Sequence, residues 1–196
     1  MEIKINHTNS LSAARYFSSF GIQNFGFTLD SMNPNHISLL DAKQIVSWLY
    51  QPNIILEVGI FQNIEEIEIL QKEFHFSSVE LNIHHPDFKR IIEQYNQSWI
   101  KLNIDELQQI DFNEPIFQDS AFIINIFELK IDFKMLIEFS QKHLILIDLN
   151  DSSKIEDFIK KTGIMNYTIP CVREKSVGKL DLEPYEHFLP YLEDAY

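Results

Sequence analysis

The sequence predicts a (β/α)8 barrel formed as a single domain over residues 1–196. Eight short apolar, β-branched runs alternate along the chain with amphipathic runs of helical period. The connections between them are long enough for parallel crossovers, which need about a dozen residues. A strand signature also recurs: "IKIN" at 3–6, "VELN" at 79–82, "IKLN" at 100–103 and "IDLN" at 147–150, with "FIIN" at 122–125 lacking only the charge. A doubly wound open sheet is the alternative that the alternation alone leaves open.

The strands are expected near 2–6, 23–28, 54–61, 77–82, 98–103, 120–126, 143–148 and 165–171. Helical patterns fill the gaps at 10–20, 38–50, 63–74, 86–96, 131–141 and 152–162, and 182–194 closes the chain. Asn9-Ser10, Ser38, Asn63 and Ser152-Ser153 are the cap signals, since their side chains accept free backbone N–H groups at helix starts. "NIEEIEILQKEF" places Ile64, Ile67, Leu70 and Phe74 on one helix face. The segment 104–119 contains Pro115 and is only weakly helical.

Strand parity explains the signature. Residues i and i+2 share a face, and the outer face of a parallel barrel packs on helices and must be apolar. Ile3 and Ile5, Val79 and Leu81, Ile100 and Leu102, and Ile147 and Leu149 suit that face. Lys4 and Asn6, Glu80 and Asn82, Lys101 and Asn103, and Asp148 and Asn150 then point inward. Two lysines and two acids in one interior are expected to pair, because each left alone would cost several kcal/mol. The asparagines crown the C-terminal mouth, where barrels of this kind place their sites. The same inward charges also serve as a purely structural network.

Composition narrows the classes of function. A net charge of −13 argues against a nucleic-acid backbone as partner. No apolar run reaches the roughly 18–20 residues of a membrane span, and the N-terminus enters a charged strand without a leader pattern. A single cysteine, Cys171, excludes an internal disulfide framework and a Cys-rich zinc site. A cytoplasmic protein without a cofactor is expected. His84, His85 and Asp87 read as solvated loop residues more than as metal ligands, and Cys171 as a buried thiol. Arg173 and Lys175 near the mouth are candidates for attracting an anion, diluted by Glu174.

The stretch "IKINHTNSLSAARYFSSFGIQNFGF" resembles the opening of phosphoribosylanthranilate isomerase, whose first strand K-I-C-G leads into T-N, an Ala-rich helix and a second strand ending G-F. "GFTLDSMNPNHIS" is similar to that family's loop after the second strand, "VGIFQN" to its V-G-V-F-V-N, and "VELN" to its V-Q-L-H. "EKSVGKLD" at 174–181 resembles E-x-S-P-G-x-K-D after the eighth strand. The resemblance spans the whole chain in order and implies the same barrel. It also implies an Amadori rearrangement without a cofactor, in which a general acid protonates the ribose ring oxygen and a general base takes the C2 proton.

The functional positions differ. The family's cysteine base corresponds to Asn6 and its aspartate acid to Asn125, and an amide neither takes nor gives a proton near pH 7. His7 is a candidate substitute base, aimed away by strand alternation unless the chain has already turned. The arginine that holds the anthranilate carboxylate corresponds to Asn35, and the histidine of Q-L-H to Asn82. The family's G-G-T-G-K and A-G-G phosphate cradle corresponds to "IFELKIDF" and "LIDLN", which contain no glycine and place Asp148 where phosphate would sit. Its S-S-G becomes Pro170, Cys171 and Val172, leaving only Gly178 downstream. The candidate mouth set is therefore Lys4, Asn6, His7, Asn35, Asn82, Asn103, Asn125, Asp148 and Arg173. The leading expectation is an isomerase-like barrel without isomerase activity, kept for a small-molecule ligand or a protein partner. The alternatives are an enzyme acting on another small metabolite, or an isomerase with substituted catalytic groups.

Overall fold

The computed structural model describes residues 1–95, 97–127, 133–149, 152–171 and 180–193. Eight parallel strands close into a barrel in chain order. They are β1 (Ile3–Asn6), β2 (Asn24–Phe27), β3 (Asn53–Glu57), β4 (Ser78–Asn82), β5 (Ser98–Asn103), β6 (Ala121–Ile126), β7 (Ile145–Leu149) and β8 (Tyr167–Pro170). Around them lie α1 (Leu11–Ser19), α2 (Leu39–Val46), α3 (Ile64–Phe74), α4 (Phe88–Gln94), α5 (Phe133–Ser140), α6 (Ile155–Thr162) and α7 (Leu189–Glu193). None of the described helices is long and apolar enough to cross a membrane.

Three of the four signalled caps form; at the fourth, Ser152–Lys154 is a 3-10 turn and the cap position of α6 is Lys154, without a side-chain cap bond. Ser10 accepts the Ala13 N–H at 3.0 Å, and Ser38 accepts that of Asp41. Asn63 and Glu66 exchange bonds reciprocally at the start of α3. Several elements are shorter than the periodicity predicts. The run 54–61 is strand only to Glu57; Ile60 and Phe61 lie in the following turn with exposed side chains. Helix α2 stops at Val46, and 182–194 splits into a 3-10 turn, Glu183–Tyr185, and α7. Segment 104–119 forms two 3-10 turns, Ile104–Gln108 and Pro115–Phe117. Side chains anchor it: the Phe112 ring packs edge-on against Phe122 (5.2 Å) and Phe139 (4.7 Å).

The two faces of the barrel sort by parity. Ile5, Val79, Leu81, Ile100, Leu102 and Ile147 face outward and are buried beneath the helices. Inside, Ile55, Trp99, Ala121, Ile123 and Leu146 form a separate apolar cluster. This cluster fills the interior towards the strand starts, beneath the polar side chains of the mouth. A barrel of this size is packed, not hollow.

Candidate functional site at the barrel mouth

Lys4 organises the first half of the site. Its side chain is fully buried, and its Nζ contacts Glu57 Oε1, Glu80 Oε2 and Asn6 Oδ1, each at 2.6 Å. Burial alone would drive the proton off this amine, but the two carboxylates outweigh that effect and raise its pKa. Glu57 is the counterpart: burial disfavours its charge, yet Lys4 and His7 hold its carboxyl well below the usual range. Neighbouring β2 makes room for the pair. A Cβ on Gly26 would lie 2.1 Å from Glu57 Oε1 and 2.5 Å from Lys4 Nζ, so any larger residue would have to displace the buried pair.

His7 joins this cluster because the chain has turned by the end of β1. Its φ of 52° is left-handed, at the position where the resembling family's K-I-C-G motif carries glycine. The turn directs the His7 backbone N–H to both Glu57 oxygens, at 3.1 and 3.2 Å. Ring Nδ1 lies 2.7 Å from Glu57 Oε2 and 2.8 Å from Thr28 Oγ1. Thr28 in turn donates to Glu57 Oε2 at 2.6 Å. Burial works against a charged imidazole here, but the bond to Glu57 prevails and raises the His7 pKa.

The second half is more open. Lys101 on β5 pairs with Asp148 on β7 at 3.0 Å, with side chains 26% and 24% exposed. Burial lowers and the carboxylates of Glu80 and Asp148 raise the Lys101 pKa, with a net upward shift. Glu80 thus faces both lysines electrostatically. Asn103, Asn125 and Asp148 are successive register partners across β5, β6 and β7, which places all three at one level, strands being about 4.8 Å apart.

The recurrent terminal asparagines have individual jobs. Asn82 Oδ1 accepts the His84 N–H at 2.9 Å, turning the chain after β4. The Asn103 N–H donates to Glu106 Oε2 at 2.6 Å, starting the turn after β5. Asn35 stands apart in the exposed turn before α2, its N–H on Asn33 Oδ1. Arg173, Lys175, Gly178 and Asn150 lie outside the described residues. His84 and His85 diverge: His84 pairs with Glu106 on the surface, whereas buried His85 holds the Gln62 carbonyl and the Asp87 N–H. Cys171 is buried beside Asn9. Glu57, Thr28 and Gly26 were missed by sequence reasoning. The available signal was parity within "NIILE", which puts Glu57 on the same face as Ile55.

Fold and cluster together define a (β/α)8 barrel whose polar candidate site occupies the C-terminal mouth. No protein-family model matches the sequence, and no curated protein matches it. Among solved structures the chain resembles phosphoribosylanthranilate isomerases. The enzyme from Thermus thermophilus superimposes with a TM-score of 0.77 over 100% of both chains at 13% identity. TrpF from Jonesia denitrificans gives 0.76 at 13% identity, over 100% of this chain and 98% of that one. The Thermotoga maritima enzyme gives 0.74 at 14%, over 99% of each. The resemblance drawn from the ordered motifs agrees with these neighbours, and at such identities the likeness establishes the fold.

Proposed function

We propose that this chain is a phosphoribosylanthranilate isomerase-like barrel without isomerase activity, a soluble cytoplasmic protein whose mouth is kept for binding a small molecule or a protein partner. The observation that carries this reading is the side chain of Asn6. It stands where the resembling family places its base, and its carbonyl oxygen accepts a hydrogen bond from Lys4. An amide so engaged takes no proton from C2 of a sugar. At the corresponding acid position, Asn125 gives none to the ring oxygen. General acid–base catalysis supplies about 10²–10⁴-fold per group, so both losses together remove most of the acceleration. The Lys101–Asp148 pair adds a carboxylate where a phosphate dianion would need donors.

A second reading, an enzyme acting on a different small metabolite, draws on the His7–Glu57 contact, which is a geometry used for proton transfer. Complementation separates the isomerase from both readings. Expressed in an isomerase-deficient tryptophan auxotroph, the chain is expected not to restore growth on medium lacking tryptophan. Growth would show that His7 or another group carries the isomerase chemistry.

A further inference from the structure

We propose that a proton on His7 sets the charge of the barrel mouth and fastens the β1–α1 turn to β3, making the mouth a pH-regulated site. The inference concerns regulation and rests on the reading of the mouth as a binding site. Charge balance is the first observation. Among the described residues lining the mouth, Lys4 and Lys101 face three carboxylates, Glu57, Glu80 and Asp148. Two cations against three anions leave the cluster one positive charge short, and His7 is the titratable group in contact with it that can supply this charge between about pH 5 and 8.

Position is the second observation. Lys4 is fully buried and Glu57 nearly so, whereas the His7 side chain is 27% exposed, so it is the member of its cluster that exchanges protons with solvent. The groups facing it are Lys4 from β1, Thr28 from β2, Glu57 from β3 and Glu80 from β4. Of these, Lys4 opposes its protonation, while Glu57 and Glu80 favour it.

The backbone supplies the third. A non-glycine residue at a φ of 52° is strained, and here it is held by N–H bonds to the carboxylate that also takes the ring. Turn and imidazole are therefore secured by one partner. Losing the proton weakens the ring contact and leaves this described cluster of five charged side chains net negative, so beside it anionic ligands are favoured below the transition and cationic ones above it. A group whose proton affinity is raised by folding stabilises the fold fully below the ordinary histidine value. That contribution is lost as pH rises through the folded value.

The experiment follows the His7 ring by NMR across neutral pH, together with unfolding midpoints over the same range, for the native chain, His7→Gln and Glu57→Gln. His7 is expected to titrate above an ordinary histidine, and the Glu57→Gln variant to return it to the ordinary value or below. His7→Gln is expected to remove part of the loss of stability above neutral pH. If Glu57→Gln fails to fold, the native titration and His7→Gln decide the matter. Titration of His7 at or below the ordinary value, or an unchanged pH dependence in His7→Gln, overturns the proposal. No ligand or isomerase substrate is involved, so these outcomes are independent of the complementation result.

Discussion

On the β1–β4 side of the mouth, Lys4 has no exposed surface and touches three side-chain oxygens from its own strand, β3 and β4. On the β5–β7 side, Lys101 keeps about a quarter of its side chain exposed and pairs with a carboxylate that is equally open. Both are lysines in the same strand signature, "IKIN" and "IKLN". What separates them is the neighbouring strand. Gly26 on β2 lets Glu57 close over Lys4, while the β6 neighbour of Lys101 is Ile123, which offers it no oxygen. A lysine of this kind becomes part of the core when its partners surround it. It stays partly open to solvent when one side lacks such a partner.

The strongest way to break this comparison is Lys4→Met. It leaves Glu57 and Glu80 buried without their cation, and a loss of about 3–5 kcal/mol is expected from urea denaturation. Gly26→Ala follows. Its methyl group meets Glu57 and Lys4 well inside contact distance, and displacing them is expected to cost about 1–3 kcal/mol, read from the same transition. Lys101→Met is expected to be the mildest. Asp148 remains partly solvated, so a loss of about 1 kcal/mol is anticipated, and a larger one would show that Glu80 depends on Lys101 as much as on Lys4. Acid sharpens the contrast. The Glu57 carboxyl is held well below the usual range, so its stabilisation is present above the ordinary carboxylate pKa and lost as pH falls through the lower, folded value. Lys4→Met is expected to flatten that acid limb, which a series of thermal melts checks.

Much of this architecture was legible in the sequence because strand alternation has a strict period. Lys4, Glu80, Lys101 and Asp148 had to face inward once their apolar neighbours faced the helices, and they pair as parity requires. Parity also puts Glu57 inward with Ile55, but the expected strand 54–61 lacks the terminal asparagine of the recurring signature, so Glu57 was passed over. The chain leaves the sheet after Glu57, and no local periodicity marks that exit. His7 was visible as a candidate base, and its contact with Glu57 depended on a turn that alternation does not supply. Alternation aims it outward, and only the left-handed turn at its own α-carbon brings it to Glu57. Glycine at the equivalent place in the resembling family's motif was the available hint. The asparagines were visible as a pattern, but their division between capping turns and holding Lys4 depends on contacts that spacing does not encode.

Turnover of phosphoribosylanthranilate, followed by the loss of its fluorescence in a coupled assay, tests the central claim most directly. Two chains are compared with a no-enzyme control: the native protein and Asn6→Cys/Asn125→Asp, which restores both proton-transfer groups while leaving Asp148 and the glycine-free strand ends in place. Neither is expected to exceed the control, because both the acid–base positions and the phosphate cradle of the resembling family carry other residues here, and each missing proton-transfer group alone accounts for about 3–5 kcal/mol of barrier. Turnover by the native protein would contradict the claim outright. Turnover by the double variant alone would show that the mouth still holds a ribose phosphate and that only the proton-transfer groups are missing.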